Sequence, residues 1–112
     1  MPKTTMDLVQ AAKQEITELS TENAKQLLSE GSIALDVREP QEYQSDHISN
    51  SHHIPRGMLE FMIDSHPGFQ NKDTSIIVYC KTGGRSALAT ATLQQLGFSN
   101  VYSLAGGFDT WD

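Results

Sequence analysis

Ile76-Ile77-Val78-Tyr79-Cys80-Lys81-Thr82-Gly83-Gly84-Arg85 is the stretch on which the fold turns. Its first half is almost continuously apolar and too short for a helix, the pattern of a strand covered on both faces of a parallel sheet. A glycine pair follows at once, and beyond it Leu88, Leu93 and Leu96 carry a helix that Gly97 closes. A buried strand therefore runs into a glycine loop and straight into a helix start.

The same alternation extends in both directions. Upstream, Ser32-Ile33-Ala34-Leu35-Asp36-Val37 reads as a second buried strand, ended by Arg38-Glu39-Pro40, with Pro40 suited to the first turn of a short helix. A brief strand is expected around His53-Ile54, after which Met58, Phe61 and Met62 recur at helical spacing until Pro67-Gly68. Further upstream lies an amphipathic helix of Ala24, Leu27 and Leu28, opened at Ser20-Thr21 and ended by Gly31 in a left-handed turn. Before it, Leu8, Val9, Ala12 and Ile16 suggest a peripheral helix capped by Thr4 or Thr5. Downstream, Val101-Tyr102-Ser103-Leu104 gives a last strand, and Gly106-Gly107 leads to Phe108 and Trp111, read as core aromatics. Strands alternating with helices predict an open α/β sheet. The chain is read as one domain, residues 1–112, with residues 1–15 peripheral and residues 16–112 forming the core.

Composition narrows the function. A net charge of -6 disfavours nucleic acid and anionic membrane as partners, because both reward Lys and Arg. No segment approaches the roughly 18 apolar residues of a membrane span. The start, Met1-Pro2-Lys3-Thr4-Thr5-Met6, has no apolar run behind it, so the cytoplasm is the expected compartment. One cysteine excludes an internal disulfide, a resolving-thiol pair and a zinc site built on several cysteines.

Cys80 stands where open parallel sheets gather chemistry, at the carboxyl end of a strand. Gly83 and Gly84 allow the backbone angles of an anion-binding concavity, the helix opening near Ser86 adds its positive end, and Lys81 and Arg85 add full charges. Such surroundings favour a sulfur anion, the nucleophilic form of cysteine. The bland alternative is a small buried hydrophobe at a strand end. It does not account for a glycine pair, two cations and a helix start within six residues.

Taken in order, Asp36-Val37-Arg38-Glu39-Pro40, Glu42-Tyr43, His47-Ile48, Ile54-Pro55-Arg56-Gly57, the loop Cys80 to Ser86, and Leu104-Ala105-Gly106-Gly107-Phe108 with Trp111 resemble the motifs of single-domain rhodaneses. The resemblance runs from about Ile16 almost to the last residue. It implies a rhodanese-like open, mostly parallel sheet of about four to five strands with helices on both faces. It also implies a sulfurtransferase in which Cys80 attacks the outer sulfur of thiosulfate or a similar small anionic donor and holds that sulfur as a persulfide. Cyanide, a thiol or a protein then accepts it. Main-chain amides from Lys81 through Thr82, Gly83 and Gly84 to Arg85 would hold the persulfide, and the Lys81 and Arg85 side chains would attract the donor. Asp36, Arg38 and Ser86 would support the loop, and no metal or organic cofactor is implied.

Other readings differ in identifiable ways. A cysteine phosphatase or arsenate reductase uses the same thiolate cradle but places five residues between cysteine and arginine, whereas four intervene here. A non-catalytic binding module of this fold usually lacks the cysteine, which is present here, and a sulfur-relay role with a protein acceptor would use the same persulfide on Cys80. Adjacent His52 and His53 would point to opposite faces of a strand, and His47 and His66 lack ligand spacing, so surface or capping roles are expected of all four. Asp36, Arg38 and Glu39 fit a hydrogen-bonded network better than acid-base catalysis, and Arg56 either lines the pocket or sits on the surface.

Overall fold

The computed structural model describes residues 2–111. Five helices, α1 (Thr5–Glu15), α2 (Thr21–Ser29), α3 (Pro40–Ser45), α4 (Leu59–Met62) and α5 (Gly84–Gln95), alternate with β1 (Glu18–Leu19), β2 (Ile33–Asp36), β3 (His52–His53), β4 (Ile76–Tyr79) and β5 (Val101–Leu104). The strands form one sheet in the order β1-β5-β4-β2-β3, every pair parallel. β4 is the middle strand, with Ile76 opposite Ile33 on one side and Val101 on the other. All four of its residues are buried, as the apolar run predicts.

Two-residue alternation sorts those side chains onto opposite faces. Ile76, Val78 and Cys80 join Leu35, Val37, Leu59, Ile63, Ala89 and Leu93 on the face covered by α4 and α5. Ile77 and Tyr79 join Ala24, Ala34, Ile48 and Leu104 on the other, with Leu27 and Leu28 of α2 and the late aromatics Phe108 and Trp111 against them. Helices thus cover both faces, and the sheet is open.

The ends of the helices follow the sequence closely. Thr4 caps α1 in a reciprocal capping box with Asp7, Ser20 caps α2, Pro40 occupies the first turn of α3, and Gly31 and Gly97 adopt positive φ after α2 and α5. α1 packs on α5, burying Val9 and Ala12.

Three expectations need correction. Met58, Phe61 and Met62 do not form the buried stripe: Phe61 is 80% exposed, and the anchors are Leu59 and Ile63. The cause is a segment built as one α turn between 3-10 turns at Arg56–Met58 and Ile63–Ser65, which leaves only those two side chains facing the sheet. Leu8 is exposed as well, because α1 is a surface helix with a narrow contact stripe. The third strand is His52–His53, one residue earlier than expected.

The carboxyl edge of the sheet is fastened from the far end of the chain. Gly106 and Gly107 take φ of 76° and 62°, and the 3-10 turn Gly107–Thr110 folds under the segment after β4. There the N–H of Phe108 donates to the Cys80 carbonyl at 2.8 Å and that of Asp109 to the Lys81 carbonyl at 3.1 Å. A Cβ on Gly107 would lie 2.5 Å from the Lys81 oxygen and 2.6 Å from the Cys80 oxygen.

Two stability results follow. Gly107→Ala should cost about 2–4 kcal/mol, from left-handed strain plus main-chain overlap, read as a lower denaturant midpoint. Ile63→Ala should likewise cost about 2–5 kcal/mol, whereas Phe61→Ser should fall within about 0.5 kcal/mol of the parent.

Candidate active site

Cys80 is the first residue beyond β4, and the chain passes over it through Lys81, Thr82 and Gly83 before α5 begins at Gly84. Gly83, at φ 110°, makes the left-handed turn that brings main chain back over the sulfur. Two N–H groups donate to Sγ, that of Gly83 at 3.1 Å and that of Ser86 at 3.3 Å. Ser86 is the third residue of α5, whose N-cap, Gly83, has no side chain. The sulfur therefore takes the amide that a Ser or Asp oxygen takes at most helix starts.

Around this contact the polar groups are ordered. The Ser86 hydroxyl lies 3.6 Å from Sγ, donates to the Gly83 carbonyl at 3.2 Å and is 2.8 Å from the Ser103 hydroxyl on β5. The N–H groups of Thr82, Gly84 and Arg85 donate to no protein atom among the described residues, which for Gly84 and Arg85 is expected of a helix's first turn. Two amides and the positive end of α5 thus face the sulfur, while the Ser86 hydroxyl accepts from it. Cys80 itself is only 1% exposed, so the loop covers the sulfur it cradles.

The two expected cations are at the loop but not free. Both terminal nitrogens of Arg85 reach Glu42 on α3, at 2.7 and 3.0 Å. This hydrogen bonding, helped by the Glu39 N–H and the charges of Arg85 and Arg38, holds the Glu42 carboxyl at about 2, against an ordinary 4.5, despite opposing desolvation. Lys81 reaches Asp109 at 2.9 Å on the surface. A depression of about 300 Å³ beside the loop is lined by Arg38, Glu42, Asp46, Lys81, Phe108 and Asp109. On the opposite flank a groove of about 410 Å³ separates the loop from α1, with Met6, Val9, Thr82, Gly84 and Leu88 on its walls.

Asp36 and Arg38 lie behind the loop. Arg38 donates to both Asp36 oxygens through Nε at 3.1 Å and through Nη2 at 2.7 Å, and Nη2 also reaches the Asp46 carbonyl at 2.6 Å. Its guanidinium stacks 4.7 Å from the Phe108 ring centre. Neither residue hydrogen-bonds to Cys80; they tie β2, α3 and the last turn together. Arg56 is elsewhere, bonded to Glu60 on α4 and Thr92 on α5. The histidines have structural partners: His47 and His53 stack on Tyr43, and His52 packs edge-on against Phe69 and His66, which itself lies tilted against Phe69. Burial, then His52, lowers the His66 pKa, in keeping with an Nδ1 that accepts the Gly68 N–H.

Glu42, Asp109 and Ser103 belong to the site without having been assigned to it from sequence. Glu42 lies in the motif that follows Pro40, yet its partner is 43 positions away, and Asp109 and Lys81 are 28 apart. Only the fold brings them together.

Comparison with known proteins identifies relatives along most of the chain. The rhodanese-like domain family matches residues 20–112. The thiosulfate sulfurtransferase GlpE of Ectopseudomonas mendocina is 39% identical over 97 residues, covering 87% of this chain and 85% of that protein. A Rhodopseudomonas palustris protein of unknown function, described as a "Possible Tyrosine Phosphatase", superposes with a TM-score of 0.87 at 36% identity, over 99% of this chain and 93% of that one. The polysulfide-sulfur transferase homodimer of Wolinella succinogenes gives 0.74 at 36% identity, over 92% of this chain and 77% of that one. With relatives this similar along most of its length and the same kind of sheet beneath them, the chain belongs to the rhodanese-like domain family.

Proposed function

We propose that this protein is a sulfurtransferase that moves a sulfane sulfur from thiosulfate or a similar donor to a thiophilic acceptor through a persulfide on Cys80. The carrying observation is the sulfur itself, which accepts two loop amides at a helix start while the neighbouring amides of Thr82, Gly84 and Arg85 donate to no protein atom among the described residues. Relatives named thiosulfate sulfurtransferase, 36–39% identical over most of the chain, support the same reading.

In the first step the Cys80 thiolate attacks the outer sulfur of thiosulfate. A new S–S bond forms, the donor's S–S bond breaks, and sulfite leaves with the electron pair. The persulfide anion is then the charged species, one atom longer than the thiolate. The N–H groups of Thr82, Gly84 and Arg85 would supply its hydrogen bonds, each contributing about 1.5–3 kcal/mol to a charged acceptor. In the second step the acceptor, a thiol, cyanide or a protein sulfhydryl, attacks the outer sulfur and Cys80 departs as thiolate. No proton transfer to or from the loop is required.

Burial of Cys80 fits this chemistry. Only the donor's terminal sulfur has to enter the loop, and the leaving group can stay in the depression outside. Four residues between Cys80 and Arg85 make a ring suited to one sulfur atom, smaller than the five-residue cradle of a cysteine phosphatase. The cytoplasm is the compartment we assign, since a lone, unpaired thiol persists in a reducing environment.

Arg85 and Glu42 hold α5 and α3 together beside the loop across the whole working pH range. The folded-state value of Glu42 is depressed, so the stability it adds is fully present above pH 4.5 and is lost as pH falls towards about 2. The pair is partly exposed, which screens its contribution.

Intact-mass analysis after thiosulfate treatment should show one added sulfur that cyanide removes. Cys80→Ser should show none and lose sulfur transfer while keeping an unfolding free energy within about 1 kcal/mol of the parent's. Sulfur addition or turnover in Cys80→Ser would refute the mechanism, as would aryl phosphate hydrolysis exceeding sulfur transfer in the parent. Glu42→Gln should flatten the fall of stability between pH 4.5 and about 2, measured by denaturation at a series of pH values. An unchanged acid limb would show that the carboxylate carries none of it.

A further inference from the structure

Resting on the sulfur-transfer reading, a second conclusion concerns which donors the site accepts. The depression beside the loop presents three carboxylates, those of Glu42, Asp46 and Asp109. Against them stand Lys81 and Arg85, each already joined to one of these carboxylates, and Arg38, which is committed to buried Asp36. Among the described residues, the Asp46 carboxylate accepts only the neighbouring His47 N–H and forms no salt bridge. This flank of the loop, on the Lys81 side, is therefore neutral to acidic, on a chain of net charge -6. Attraction for an anion comes from the amides and the positive end of α5 beneath, which are short-ranged. Such a site is built to stabilise one negative charge at the sulfur, not to draw a second one to the surface above it.

We propose that Glu42 and Asp109 are specificity-determining residues which bias the enzyme toward singly charged sulfane donors, of the organic thiosulfonate or organic persulfide class, and against the inorganic dianion. Methanethiosulfonate is the diagnostic probe: it is close to thiosulfate in shape, with a methyl group in place of one charged oxygen. The Cys80 thiolate attacks its terminal sulfur, the donor S–S bond breaks, and methanesulfinate leaves with the electron pair. Charge balances without an oxidant or a proton.

The experiment measures kcat/KM for thiosulfate and for methanethiosulfonate, with cyanide as acceptor, in the parent, Asp109→Asn and Glu42→Gln. Comparing the ratio of the two donors across variants cancels their intrinsic reactivities and any general loss of loop order. Removing either carboxylate should raise the thiosulfate-to-methanethiosulfonate ratio about threefold to tenfold, the size expected of one charge several Å away in partly solvated surroundings. A ratio within about twofold of the parent in Asp109→Asn, or one that falls, overturns the proposal, and that exposed variant decides the matter if Glu42→Gln fails to fold. A parent that gains sulfur from neither donor, by intact mass, overturns the sulfur-transfer reading as well. A parent that gains sulfur while the ratio stays fixed overturns only this one.

Discussion

Helix α5 starts on a glycine and has no oxygen to cap it, and the sulfur of Cys80 accepts the Ser86 amide instead. Much else at this edge of the sheet depends on that contact. It fixes where the helix begins, how tightly the chain turns between Lys81 and Gly84, and which atom sits at the positive end of the helix. A neutral side-chain cap contributes about 1 kcal/mol to a helix, and an amide bonded to an anion more than that. The nucleophile is therefore also an architectural element of the loop that surrounds it.

Behind the loop, the buried Asp36–Arg38 pair plays a different part. Desolvating two charges is costly, and pairs of this kind are weak evidence for stability. Here every bond leads to a different element. Asp36 ends β2, Arg38 reaches the Asp46 carbonyl just beyond α3, its ring contacts are Tyr79 of β4 and Phe108 of the last turn, and its own carbonyl meets His53 of β3. The Tyr79 hydroxyl extends the network to Ser51 and the Ile48 amide, and burial keeps it protonated well above its usual range. One guanidinium thus joins the segments that carry Glu42 and Asp109 to the Lys81 side of the loop.

Sequence made some of this legible and hid the rest for physical reasons. β2, β4 and β5 stood out because strands buried on both faces need apolar residues at successive positions. Helix boundaries stood out because Thr4, Ser20, Pro40, Gly31 and Gly97 act locally. β1 went unseen: two residues, Glu18 and Leu19, are too few to show a period, and their pairing with β5 is decided by the sheet. In α4 the pattern misled, since Met58, Phe61 and Met62 satisfy a helical period as well as Leu59 and Ile63 do, and a 3-10 turn on each side chose the second set. At the site, Cys80, Gly83 and Ser86 are within six positions of one another and their geometry could be anticipated. The state of Lys81 and Arg85 could not, because the carboxylates that occupy them arrive from distant segments.

The floor of the loop has one further implication. The carbonyls of Cys80 and Lys81 are clasped by amides nearly thirty positions later in the chain, over a glycine that leaves no space for a side chain. The six-residue segment is thus not a portable cassette. Transplanted into another scaffold it would carry the reactive atom and its upper rim but lose the underside that sets its curvature, so exchanging or borrowing this chemistry means moving two strand ends together as one unit.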